Sequence, residues 1–157
     1  MGCNLGNRLD AINSAFEELK KLGRGFRSSS VYESEPWGYE DENLYLNAAC
    51  VFRTHLSPRE LHRETLKIER GLGRETAKRK KGEPYRARRM DIDILLYGDW
   101  ILSEDDLEIP HPRLHLRKFV LTPLMELNPE LIHPVSKKTM KDLHSEVSDE
   151  SELSVIG

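Results

Sequence analysis

Several things are scarce in this sequence, and each scarcity excludes a class of protein. Its 157 residues include two cysteines, Cys3 and Cys50, too far apart for metal-ligand spacing. Neither a zinc module nor a disulfide framework is expected, and both thiols read as reduced and structural. No stretch approaches the roughly 20 apolar residues that a membrane helix needs, and the N-terminus lacks a charged region followed by an apolar run. No membrane association is expected, and the location is predicted to be cytoplasmic. The net charge of −3 argues against a general nucleic-acid binder. Internal repeats and low-complexity linkers are absent. What is present, 38% apolar and 32% charged residues in a chain of one-domain length, describes an ordinary globular protein.

Charge distribution says more than its sum. Arg74 to Arg89 holds eight basic residues (Arg74, Lys78, Arg79, Lys80, Lys81, Arg86, Arg88 and Arg89) against two acidic ones, a strong anion-attracting loop. Around it the elements follow from periodicity. Leu9, Ile12, Phe16 and Leu19 recur at helical spacing, predicting a helix over Arg8 to Leu22 that stops at Gly23. Ser30 to Glu33 and Ala48 to Thr54 read as strands, separated by the loop signal Glu35-Pro36-Trp37-Gly38. Ser57-Pro58-Arg59-Glu60 is a capping box that starts a helix carrying Leu61, Thr65, Ile68 and Leu72 on one face, ended by Gly71 and Gly73. Met90 to Tyr97 reads as the clearest strand, and Phe119 to Leu127 and Met140 to Val147 as short helices. From Ser145 serines and acids replace apolar residues, predicting an acidic, Ser-rich tail over 145–157 that frays at its end. This order predicts an α+β fold with helices segregated to one face of a mostly antiparallel sheet.

Alternation along a strand puts Asp91, Asp93, Leu95 and Tyr97 on one face and gives Met90, Ile92, Ile94 and Leu96 to the core. Two carboxylates about 6.5–7 Å apart at the backbone can converge on a hard divalent cation that also holds phosphate oxygens. An isolated Asp-x-Asp is more often a solvated surface. Beside Arg74, Arg86, Arg88 and Arg89, whose guanidinium groups pair with phosphates, it reads as a triphosphate clamp. Tyr45 and Asn47 share a strand face, an aromatic ring beside an amide able to pair with a heterocycle. Trp37 and Phe119 offer further stacking faces, and His111 offers a phosphate donor.

Taken in order, Gly2-Cys3-Asn4-Leu5-Gly6, Glu35-Pro36-Trp37-Gly38, Tyr45-Leu46-Asn47-Ala48-Ala49, Glu69 with Gly73-Arg74, Arg88-x-x-Asp91-Ile92-Asp93-Ile94-Leu95, Ile109-Pro110-His111-Pro112-Arg113 and Pro123-Leu124 resemble the 6-hydroxymethyl-7,8-dihydropterin pyrophosphokinase family of folate biosynthesis. The resemblance implies one domain over 1–144 with a ferredoxin-like α+β sandwich. It also implies transfer of the β,γ-pyrophosphoryl group of ATP to the pterin hydroxymethyl oxygen, with release of AMP. Asp91 and Asp93 would hold two magnesium ions, and Arg74 and Arg88 would be the mobile catalytic arginines. Glu69, Ile94, His111 and Arg117 would contact ATP, and Ser34, Trp37, Tyr45, Asn47 and Phe119 would line the pterin pocket.

This chain departs from the family in having Cys3 where serine is customary and Arg86-Ala87 where glycine and proline precede the arginine. Family members also carry a normal strand length of apolar residues before the Gly2–Gly6 turn. Their lack here predicts a truncated interior strand, its place filled by another segment or another chain, or left partly open. The family implies a monomer, with inter-chain strand completion as the alternative. Two other readings compete: a two-metal nucleotidyltransferase, which would release pyrophosphate, and a non-enzymatic ferredoxin-like binding module.

Overall fold

The structure, a computed structural model, describes residues 1–73 and 90–156; the basic loop Arg74 to Arg89, with Arg74 and Arg88, lies outside the described residues. Helix α1 (Arg8–Lys20) starts where the Asn7 side chain accepts the Asp10 amide and buries Ile12, Ala15, Phe16 and Leu19. Leu9, expected on that face, stays exposed. Gly23 has no Cβ and so lets the chain after α1 pass close to the Arg53 carbonyl oxygen, with which a Cβ would collide.

The main sheet is antiparallel with order β1 (Gly2–Cys3), β4 (Tyr45–Asn47), β3 (Val31–Ser34) and β8 (Leu153–Ile156). Against one face α1 packs Ile12 and Phe16 onto Cys3, Val31, Leu46, Met90 and Ile92 to form the first core. Full burial of a side chain such as Ile12 contributes about 1.5–3 kcal/mol. A ribbon of β2 (Arg24–Ser28) and β5 (Cys50–Arg53) continues beside it, with Phe26 stacked on Phe52. Helix α2 (Pro58–Gly71) opens on the expected capping box: Ser57 accepts from the Glu60 amide and Glu60 accepts from the Ser57 amide. A hairpin of β6 (Leu102–Glu104) and β7 (Leu107–Ile109) is tied to that helix by Arg59, which pairs with Glu104 and Asp106. Helices α3 (Lys118–Leu127) and α4 (Met140–Glu146) close the second core on Leu114, Leu121, Leu124, Met140 and Leu143. Glu126 fastens α3 to the sheet by accepting from the Ser30 amide and hydroxyl and from the Tyr32 hydroxyl. Burial, and then that carboxylate, push the Tyr32 phenol up to about 12.

Two expectations are corrected. Among the described residues Met90 to Tyr97 forms no ladder: Asp91 pairs as a single bridge with Gly2, through reciprocal 2.9 Å amide–carbonyl bonds. Beyond it the backbone groups go elsewhere, the Ile92 amide to the Glu69 carboxylate and the Leu95 carbonyl to the His111 amide. The fraying expected at the end of the chain does not occur, because Leu153–Ile156 pairs with β3 over four positions and covers that edge. The first strand is the two-residue β1, held between β4 and Asp91. The C-terminal strand lies at the opposite edge of the sheet from β1.

Both cysteines are free, and burial raises each thiol to about 11, as inert structural thiols require. Among the described residues no helix is long and apolar enough to cross a membrane.

Candidate active site

The Gly2–Asp91 bridge sets the floor of an open cavity of about 720 Å³, mouth included. Asp91, Asp93 and Leu95 line it together while Met90 and Ile92 are buried, so the predicted alternation of faces holds without a ladder. The amide between the two aspartates is pinned from below. Glu69, 1% exposed on α2, accepts the Ile92 N–H at 2.7 Å. An N–H–carboxylate bond of this kind is among the stronger hydrogen bonds and fixes the peptide that carries both carboxylates.

His111 stands next to this pair, its Nε2 3.9 Å from Asp93 Oδ2. Its Nδ1 accepts the Arg113 amide, which leaves the proton of the neutral ring on Nε2, facing the aspartate. Burial lowers its pKa, Asp93 pulls it back up, and Arg117 and Arg113 lower it further. The ring is therefore a neutral hydrogen-bond donor at neutral pH.

The opposite wall comes from β3, β4 and the loop between them. Ser34 and Asn47 are buried on adjacent strands, and the Asn47 Nδ2 donates to Ser34 Oγ at 2.9 Å. That bond orients the amide, with Asn47 Oδ1 toward Gly2, where a Cβ would come within 3.0 Å of it. Tyr45 meets Tyr39 edge to face, their hydroxyls 2.5 Å apart. The loop is anchored at Asp41, which accepts from Asn4 at 3.1 Å and from the Asn43 amide at 2.9 Å; the Asn43 bonds hold its carboxyl below the usual range. Arg8 closes the loop's end on the Leu44 carbonyl and Glu33. At the N-terminus of α3, Arg117 is 4% exposed, its guanidinium carbon 4.8 Å from the Trp37 ring centroid and 5.6 Å from that of Phe119.

One cavity thus gathers Ser34, Trp37, Tyr45, Asn47, Asp91, Asp93, Arg117 and Phe119. His111 stands beside it against Asp93, Glu69 lies beneath it, and Ile94, half-buried, does not line it. Arg74 and Arg88 are outside the described residues. Tyr39 also lines the cavity and carried no sequence expectation, because a tyrosine in a polar loop has no periodicity to place it. Among the described residues no three His, Cys, Asp or Glu side chains converge as a complete metal cage. A pair of carboxylates open to the cavity suits magnesium, which keeps positions for water and phosphate oxygens.

Residues 1–129 match the family model described as 7,8-dihydro-6-hydroxymethylpterin-pyrophosphokinase. The 2-amino-4-hydroxy-6-hydroxymethyldihydropteridine pyrophosphokinase of Aquifex aeolicus is 38% identical over 146 residues, 93% of this chain and 88% of its own length. The enzyme of the same name from Porphyromonas gingivalis is 40% identical over 136 residues, 85% of this chain and 90% of its own. The folic acid synthesis protein fol1 of Pneumocystis carinii is 36% identical over 95% of this chain, which matches 20% of that longer protein. The match runs through both walls of the cavity, and the chain belongs to the 7,8-dihydro-6-hydroxymethylpterin-pyrophosphokinase family.

Proposed function

We propose that this chain transfers the β,γ-pyrophosphoryl group of ATP to the hydroxymethyl oxygen of 6-hydroxymethyl-7,8-dihydropterin, a step of folate biosynthesis that releases AMP. The observation that carries this reading is a single cavity with two chemistries. An oriented amide and aromatic rings line one wall, and a carboxylate pair lines the other. The pterin ring would lie against Tyr45 and Phe119, with its donors and acceptors read by Asn47 and Ser34 and with Trp37 at the pocket's edge. ATP would lie across Asp91 and Asp93, with His111, Arg117, Glu69 and Ile94 on its side.

In the transfer, the alcohol oxygen bonds to the β-phosphorus, and the bond from that phosphorus to the α–β bridging oxygen breaks. AMP leaves with the electron pair, and the alcohol proton passes to Asp91 or water. The protein's contribution is alignment and charge neutralisation, which supply most of the rate in phosphoryl transfer. Neutral His111 donates its Nε2 proton in a hydrogen bond to a phosphate oxygen. Arg117 adds permanent positive charge, and Arg74 and Arg88 would add more from the basic loop. Two magnesium ions bound by Asp91 and Asp93 would neutralise phosphate charge and hold the phosphates in line. We further propose that residues 1–144 are one pyrophosphokinase domain followed by the acidic 145–157 segment. In this reading it works in the cytoplasm as a monomer without nucleic-acid or membrane partners, inter-chain strand completion being the alternative.

Product identification with ATP, magnesium and the pterin alcohol tests the reading. Equimolar AMP and pterin diphosphate are expected; pyrophosphate would point to nucleotidyl transfer, and turnover of neither would reject catalysis.

A further inference from the structure

Trp37 belongs to the loop that walls the heterocycle side, yet the cation over its ring belongs to the phosphate side. The Arg117 guanidinium carbon lies 4.8 Å from the indole centroid and 5.6 Å from the Phe119 ring. A guanidinium this buried over two aromatic faces is held by their quadrupoles in a low-dielectric setting, where cation–π attraction is at its strongest. The same positive charge is felt by His111, which itself faces Asp93, so Arg117 links the aromatic wall to the carboxylate wall. The far ends of the loop are tied down by Asp41 on Asn4 and by Arg8 on the Leu44 carbonyl, so the indole is presented from an anchored segment.

We infer that Trp37 is a positioning residue for the phosphate side: with Phe119 it holds Arg117 broadside in the cavity, so that the 35–44 loop sets where this arginine meets ATP. The inference rests on the reading of Arg117 as an ATP contact. It separates Trp37 from Asn47, whose amide is bonded to Ser34 within the heterocycle wall. A leucine at position 37 keeps apolar bulk but has no π face; a phenylalanine keeps a weaker one.

Steady-state kinetics with each substrate varied, on Trp37→Leu, Trp37→Phe, Arg117→Ala and the Trp37→Leu/Arg117→Ala double variant, provide the test. Trp37→Leu should raise the KM for ATP roughly five- to thirtyfold, and by a larger factor than it raises the KM for the pterin, whose pocket the indole only edges. Trp37→Phe should fall between it and wild type. In the Arg117→Ala background the tryptophan substitution should add little, since both changes remove the same contact. A rise confined to the pterin KM, or effects that multiply in the double variant, would overturn the inference. Should Trp37→Leu fail to fold, Trp37→Phe alone decides it by which KM moves. An Arg117→Ala protein with an unchanged KM for ATP would instead defeat the reading of Arg117, and the inference with it, while AMP release by wild type would leave the proposed reaction standing.

Discussion

On the heterocycle side of the cavity Ser34 and Asn47 are buried on paired strands and bonded to each other, whereas on the phosphate side Asp93 stands exposed on a segment that has left the ladder. A flat, largely neutral ring is recognised by donors and acceptors at fixed angles, and buried strand residues hold such angles well. Phosphates and hydrated cations need ligands that still reach water. The price of that openness is a backbone with few sheet partners, which the Glu69–Ile92 bond and the Leu95–His111 bond partly offset.

If the phosphate side acts through charge, Asp91→Ala should produce the largest effect. A kcat lower by at least about a hundredfold is expected, with pterin affinity nearly unchanged. Separate measurement of kcat and of pterin binding checks this, and equal loss of both would dissolve the division of labour. On the other wall, Asn47→Leu leaves Ser34 Oγ buried without its partner and removes the oriented amide. The KM for the pterin should rise roughly ten- to hundredfold while the KM for ATP stays within about twofold.

How far these walls could be read beforehand follows from the kind of interaction that builds them. Helices α1 and α2 were legible because periodicity and caps act within a few residues: Ile12, Phe16 and Leu19 are buried on α1 as their spacing predicts, and the Ser57–Glu60 box lies at the observed start of α2. The side-by-side placement of Asp91 and Asp93 was legible from alternation alone. The missing ladder at 92–97 was not, because strand content depends on partners, and a buried glutamate 23 residues upstream took the Ile92 amide. The hairpin of β6 and β7 and the terminal β8 went unread for the same reason, being short segments that gain order only by pairing. Arg117 over Trp37 joins residues from distant parts of the chain, a contact with no local pattern at all.

Tyr39 sharpens the comparison at a finer scale. Tyr39→Phe removes the hydroxyl that meets Tyr45 but keeps the edge-to-face ring, so a rise of about two- to tenfold in the pterin KM is expected, with kcat nearly constant. A fall in kcat alone would assign Tyr39 to the other wall. The smallest effect on turnover lies outside both regions. His133 Nδ1 accepts the Val135 and Ser136 amides, and burial, then His115, hold its pKa below 6.5. A depressed pKa means the neutral ring is the folded form, so its stabilisation is present above the unfolded value of 6.5 and lost as pH falls through the lower folded one. Melting temperature should decline over that window, and His133→Asn should flatten the decline without moving either KM.

The central claim is that the Asp91 and Asp93 carboxylates work by carrying magnesium to the phosphates while the other wall is already built. AMP release measured against magnesium concentration in wild type and Asp93→Asn tests this most directly. The account predicts saturable, magnesium-dependent release in wild type, and in the variant a requirement at least tenfold higher or no release, with pterin binding retained. Superimposable magnesium curves would contradict it.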